Sequence, residues 1–124
     1  MELKMRFEES EILELKRSTS ELKEALIAIS AILNKHQRGE LYFGIKNDGT
    51  VAGQMISDKT LRDIAKAIGD HIEPEIFPVI QNVNLRGKEC IHVTFHGNEA
   101  PYYAYGRAYT RVGDSNRQLS AKEV

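Results

Sequence analysis

Glu40-Leu41-Tyr42-Phe43-Gly44-Ile45-Lys46-Asn47-Asp48-Gly49-Thr50-Val51-Ala52-Gly53-Gln54-Met55 is the stretch on which the reading of the fold turns. Asn47-Asp48-Gly49 supplies the residue types that tolerate positive φ, so it predicts a tight reversal of the chain. The flanking segments, Glu40 to Lys46 and Thr50 to Met55, then read as two strands of one hairpin.

Upstream, Leu22, Leu26, Ile29 and Leu33 recur at helical spacing with Ala25, Ala28 and Ala31 beside them. This pattern predicts a helix from about Ser20 to Lys35 with a broad apolar stripe. Ser18-Thr19-Ser20 supplies capping hydroxyls at its start, and Gly39 is a candidate left-handed exit. Before it, Ile12 to Lys16 alternates like a short strand, with Leu13 and Leu15 on one face and Glu14 and Lys16 on the other.

Downstream, Ser57 or Asp58 caps a second predicted helix running to about His71, and Glu73-Pro74 stops it. Val79 to Leu85 and Glu89 to Phe95 read as strands of a second hairpin turning at Arg86-Gly87-Lys88, and Arg107 to Val112 as a last strand. Near the end, Ser120 reads as the cap of a helix barely begun, which suggests the N-terminal part of a longer chain. The predicted architecture is α+β: a small mixed sheet of five to six strands with two helices, in the order strand, helix, hairpin, helix, hairpin, strand.

A chain of 124 residues with 41% apolar and 28% charged side chains has the size and composition of one domain with one core. The longest apolar stretch, Ala25 to Leu33, is too short to span a bilayer, and no secretory signal pattern opens the chain. The lone Cys90 has no internal disulfide partner and lies in an alternating strand, in keeping with a reducing, cytoplasmic setting. A net charge of -1 argues against bulk electrostatic coating of nucleic acid, so any anion site must be local. The four histidines lack metal-ligand spacing, and no glycine-rich phosphate signature is present.

Several short motifs occur in a telling order: Glu9-Ser10 then Glu14-Leu15-Lys16; Ile29-Ser30-Ala31 with Asn34; Gly39 with Leu41-Tyr42-Phe43-Gly44-Ile45; Asn47-Asp48-Gly49 with Gly53; Pro74; Pro101-Tyr102; and Tyr109-Thr110-Arg111-Val112-Gly113 with Asn116. Together they resemble the Schlafen AlbA-type domain over nearly the whole chain. Two departures are visible: Asn34 is separated from a single Gly39 where the family usually has a glycine pair, and Lys46 stands where an acidic residue often follows the Gly-hydrophobic step.

The resemblance implies a nucleic-acid-binding module of a transcriptional-regulator-like protein, taking DNA in preference to RNA and serving a C-terminal region of its own parent chain. An exposed sheet edge would further allow a homodimer. No cofactor is expected for such a binder. In animal Schlafen proteins a similar domain forms part of an RNA-cleaving core with three carboxylates, which implies an alternative, a metal-dependent endoribonuclease. Two of those carboxylates match Glu9 and Glu14, and the nearest counterpart of the third is Asp48. Such a trio would hold Mg²⁺ or Mn²⁺, hard cations that prefer oxygen ligands. A plain protein-interaction domain is the third reading.

For the binder, the candidate contacts are Lys16, Arg38, Lys46, Arg107 and Arg111, with Tyr102 and Tyr105 in the densest aromatic and basic stretch and Tyr42, Tyr103 and Tyr109 as further rings. Cations neutralise phosphates, and exposed tyrosines stack on unpaired bases. Arg111 has two readings that the sequence leaves open: an anion site beside Val112-Gly113, or an ion pair with Glu14. Lys46, a cation beside Asp48, favours the binder over the nuclease.

Overall fold

A computed structural model of the chain describes residues 7–124. Strand β1 (Leu13–Lys16) leads through one turn of 3-10 helix into helix α1 (Leu22–His36), then β2 (Arg38–Phe43) and helix α2 (Asp58–His71). Six further strands follow: β3 (Ile72–Glu73), β4 (Val79–Leu85), β5 (Lys88–His96), β6 (Tyr103–Ala104), β7 (Arg107–Val112) and β8 (Ser115–Gln118). They form two four-stranded sheets, ordered β1-β2-β5-β4 and β3-β6-β7-β8, so the α+β class holds while the single sheet of five to six strands does not.

The predicted reversal at Asn47-Asp48-Gly49 is present, but the hairpin around it is not. Gly49 has φ 89°, Lys46 N–H donates to the Thr50 carbonyl at 2.9 Å, and Thr50 N–H donates to Asp48 Oδ1 at 2.9 Å. Thr50 to Met55 nevertheless forms no strand, and a single bridge, Ile45 to Val51, is all that pairs across the turn. The physical reason is that β2 has no edge left. It pairs in parallel with β1 on one side and antiparallel with β5 on the other. β2 also stops at Phe43, where Gly44 takes φ 104° against Cys90.

Helix α1 lies between the two sheets, touching β2 on one side and β7 on the other, which is why its buried residues surround it more fully than a surface stripe would. Leu26, Ile29, Ile32 and Leu33 join Leu41, Phe43, Ile91, Val93 and Phe95 in the main core, and Ile64 and Ile68 of α2 close it. A smaller cluster on the opposite face of the first sheet contains Phe7, Leu15, Ile45, Val51 and Cys90.

The helix exit differs from expectation: Gln37, at φ 68°, is the left-handed residue, and Gly39 lies within β2. Gly39 is required by closeness instead, since a Cβ there would meet Ile32 Cγ2 at 2.6 Å and the Ile12 carbonyl at 2.9 Å. Ser57 caps α2 through a reciprocal box with Thr60. The second hairpin forms as predicted, turning on Arg86 and Gly87 with φ 52° and 78°. Ser120, read as a helix cap, begins a simple turn in which Glu123 N–H donates back to its carbonyl at 3.0 Å. Among the described residues no helix is long and apolar enough to cross a membrane.

Candidate nucleic-acid interface

Several of the motif residues serve a clasp between the two sheets. Arg111 on β7 is fully buried and points its guanidinium at the lead-in to β1. Nη1 donates to Glu14 Oε2 at 3.2 Å and to Asn116 Oδ1 at 2.8 Å, while Nη2 donates to the carbonyls of Ser10 at 2.8 Å and Leu13 at 3.3 Å. Glu14 is itself buried, so a low-dielectric ion pair stands where the sequence left two readings open. Arg111 therefore has no surface to offer a phosphate, a correction that burial alone enforces.

Beside this pair, Glu11 accepts from Lys35 Nζ at 2.7 Å, His36 Nε2 at 2.9 Å and Gly113 N–H at 2.6 Å. The Lys35 bond, followed by that from His36, holds the Glu11 carboxyl at about 2, well below its ordinary 4.5. Asn34 adds a third tie: its Nδ2 donates to the carbonyls of Tyr102 and Tyr109 at 2.9 and 2.8 Å, and its Oδ1 accepts from Tyr102 N–H at 2.6 Å.

The structure does not bring Glu9, Glu14 and Asp48 together. Glu9 accepts from Leu15 N–H at 3.3 Å, Glu14 is bound to Arg111, and Asp48 is exposed in its turn. Bonds from Thr50 hold the Asp48 carboxyl below its usual range. Among the described residues no three His, Cys, Asp or Glu side chains are grouped so as to hold a metal ion.

The aromatic candidates also divide. Tyr102 is buried, its hydroxyl accepting from Glu99 N–H at 3.0 Å, so it is a core residue and not a stacking ring. Tyr105 is half-buried at the β6–β7 turn, stacked on His71 at 4.4 Å between centroids, with Lys23 Nζ 5.2 Å from its ring. The cleft there, about 230 Å³, is lined by Asp70 and Glu73 as well as Tyr103 and Tyr105, a carboxylate lining that repels phosphate. Tyr42 is stacked on His92 at 4.3 Å and edge-on to Phe7, and burial raises its hydroxyl pKa.

Of the cations, Arg38 and Arg107 are exposed but lie apart from Lys46: Arg38 opens β2 opposite His96, at the far end of the sheet, and Arg107 belongs to the second sheet. Lys16 and Lys46 share one end, where Gly44 and Ile45 N–H groups both donate to the Lys16 carbonyl, at 2.8 and 3.2 Å. There an open cleft of about 400 Å³ is lined by Arg17, Ser20, Glu21, Lys46 and Asn47. It sits where the link between β1 and α1 meets the 46–49 turn, so two stretches far apart in sequence converge on it. Arg17, Ser20 and Asn47, which line this cleft, are not among the candidates read from the sequence. The signal available was a second cation directly after Lys16 and before the hydroxyl run.

An α+β domain of two small sheets about a central helix, tied by a buried Arg-Glu clasp, is the class that this geometry defines. Residues 9–120 match the family described as Schlafen, AlbA_2, and the chain belongs to that family. Among solved structures it is similar to the DIP2311 protein of Corynebacterium diphtheriae, with TM-score 0.67 and 16% identity over 88% of this chain. It is also similar to the N-terminal domain of an ATP-dependent DNA helicase RecG-related protein of Nitrosomonas europaea, with TM-score 0.60, 23% identity, and coverage of 91% of this chain and 85% of that one. These likenesses show a shared fold. The chain spans 22% of the length of the Corynebacterium protein. Comparison with curated proteins gives no match.

Proposed function

We propose that this domain is a nucleic-acid-binding module that grips backbone phosphates in the cleft between Arg17 and Lys46. The observation that carries the reading is the composition of that cleft, where two exposed cations, the Ser20 hydroxyl and the Asn47 amide face one opening against a single carboxylate, Glu21. Cations supply the sequence-independent attraction to phosphates, and neutral donors fix their position. Membership of the AlbA_2 family and the RecG-related name borne by a structural relative's parent protein both support a nucleic-acid role. On this reading DNA is the preferred polymer, the parent is transcriptional-regulator-like, and the rest of that parent is a second partner.

The test is fluorescence anisotropy with single-stranded and double-stranded DNA and structured RNA across a salt series, with and without EDTA. Binding that weakens linearly in log salt and ignores EDTA is expected, because phosphate neutralisation releases counterions and needs no metal. Absence of binding at low salt, or binding indifferent to salt, sinks the proposal. Strand cleavage that stops on metal removal would replace it with the ribonuclease alternative.

A further inference from the structure

The two edges of the first sheet are finished differently. On the outer side of β1, Leu15 N–H donates to Glu9 Oε2 at 3.3 Å, and the Leu13 carbonyl accepts from Ser10 N–H at 3.0 Å and Arg111 Nη2 at 3.3 Å. Two side chains and one backbone N–H close that edge. β4, at the other edge, pairs with β5 on one side and with no strand on the other among the described residues.

The strand left open is Val79-Ile80-Gln81-Asn82-Val83-Asn84-Leu85. It is seven residues long and carries no charge, proline or glycine, so the devices that usually blunt an edge are missing from it. Its two-residue turn makes Leu85 and Lys88 a hydrogen-bonded pair, which leaves the N–H and C=O groups of Ile80, Asn82 and Asn84 facing outward. At its start, Phe77 and Val79 are 77% and 53% exposed, apolar surface that a neighbour would cover.

We propose that β4 pairs antiparallel with the β4 of a second copy about a twofold axis at Asn82, joining two four-stranded sheets edge to edge. In that register Asn82 faces the partner's Asn82, Ile80 faces the partner's Asn84, and Val79 faces the partner's Leu85. The outward backbone groups of one strand then meet those of the other, and the exposed Val79 gains an apolar neighbour. Charge favours a second copy as occupant, because an uncharged strand opposes itself without repulsion at any position. The inference stands apart from the phosphate cleft, which lies at the β1–α1 junction.

Sedimentation velocity of the full chain over a concentration series tests it. The mass of two chains is expected at high concentration, with loss of the dimer in Asn82→Lys, which sets two ammonium groups face to face at the axis. Circular dichroism should show the variant as folded as the parent, since residue 82 is exposed. Hydrogen exchange gives a reading that needs no variant: the amides of Ile80, Asn82 and Asn84 should slow as concentration rises. A chain that stays monomeric throughout, or a dimer in which those three amides exchange freely, overturns the proposal. So does protection that arises only on adding an extended foreign peptide.

Discussion

Arg111 of β7 and Glu14 of β1 lie 97 positions apart in the chain and meet at 3.2 Å with both side chains almost fully buried. The pair is tolerated because Nη1 also donates to Asn116 and Nη2 donates to the Ser10 and Leu13 carbonyls, although the buried Nε has no partner among the described residues. Removing one partner strands the other charge in the interior. Arg111→Ala should therefore cost about 3–5 kcal/mol in urea unfolding, and Arg111→Lys should not rescue it, since an ammonium lacks the planar fork. Replacing both, Arg111→Met with Glu14→Leu, should recover most of the loss. A single-variant loss under about 1 kcal/mol would mean that the pair is not buried in solution.

Asn34 ties α1 to Tyr102, just before β6, and to Tyr109 of β7 with three bonds from one amide. Asn34→Asp keeps the size and the acceptor but deletes the donor to the Tyr102 and Tyr109 carbonyls. A loss of roughly 1–3 kcal/mol follows from leaving those acceptors unpaired. Equilibrium denaturation of the variant checks it, and an unchanged midpoint would show that water replaces the amide without penalty.

Glu11 predicts how acid acts on the domain. Its carboxyl is held down at about 2 by Lys35 first and His36 next, against an ordinary 4.5. A depressed acid stabilises the fold fully above the unfolded value, and that contribution fades as pH falls from about 4.5 through about 2. Glu11→Gln removes the titration, so stability of the parent should fall more steeply than that of the variant across this window. Parallel pH profiles would remove Glu11 from the account.

For the cleft, Arg17→Ala and Lys46→Ala should each weaken DNA binding across sequences and reduce the salt slope by about 1. Lys59→Ala, on α2 and paired with Asp63, should leave both unchanged. Equal effects from all three would mean diffuse attraction without a site.

What the sequence revealed was local. Turn chemistry located the reversal at Asn47-Asp48-Gly49 and the Arg86-Gly87 turn, and periodicity located both helices. What it withheld was pairing between distant segments. Whether Thr50 to Met55 becomes a strand depends on whether β2 has a free edge, and β1 and β5 occupy both. Gly39 illustrates the same divide: a glycine after a helix suggests an exit, whereas the approach of Ile32 and Ile12 is what demands it. Strands β3, β6 and β8, of two to four residues, are too short to leave a period. The site divided likewise. Lys46 was legible as an exposed turn cation, but burial of Arg111 and Tyr102 and the convergence of Arg17 on the turn arise from packing that no spacing records.

The clasp also bears on time. Arg111 reaches back to Ser10 across 101 positions, so the loop it closes comprises most of the chain and its contacts are among the slowest to assemble. Contacts that form after the folding barrier scarcely alter how fast a domain is made, yet they govern how fast it comes apart. Arg111→Ala is therefore expected to speed unfolding more than it slows folding.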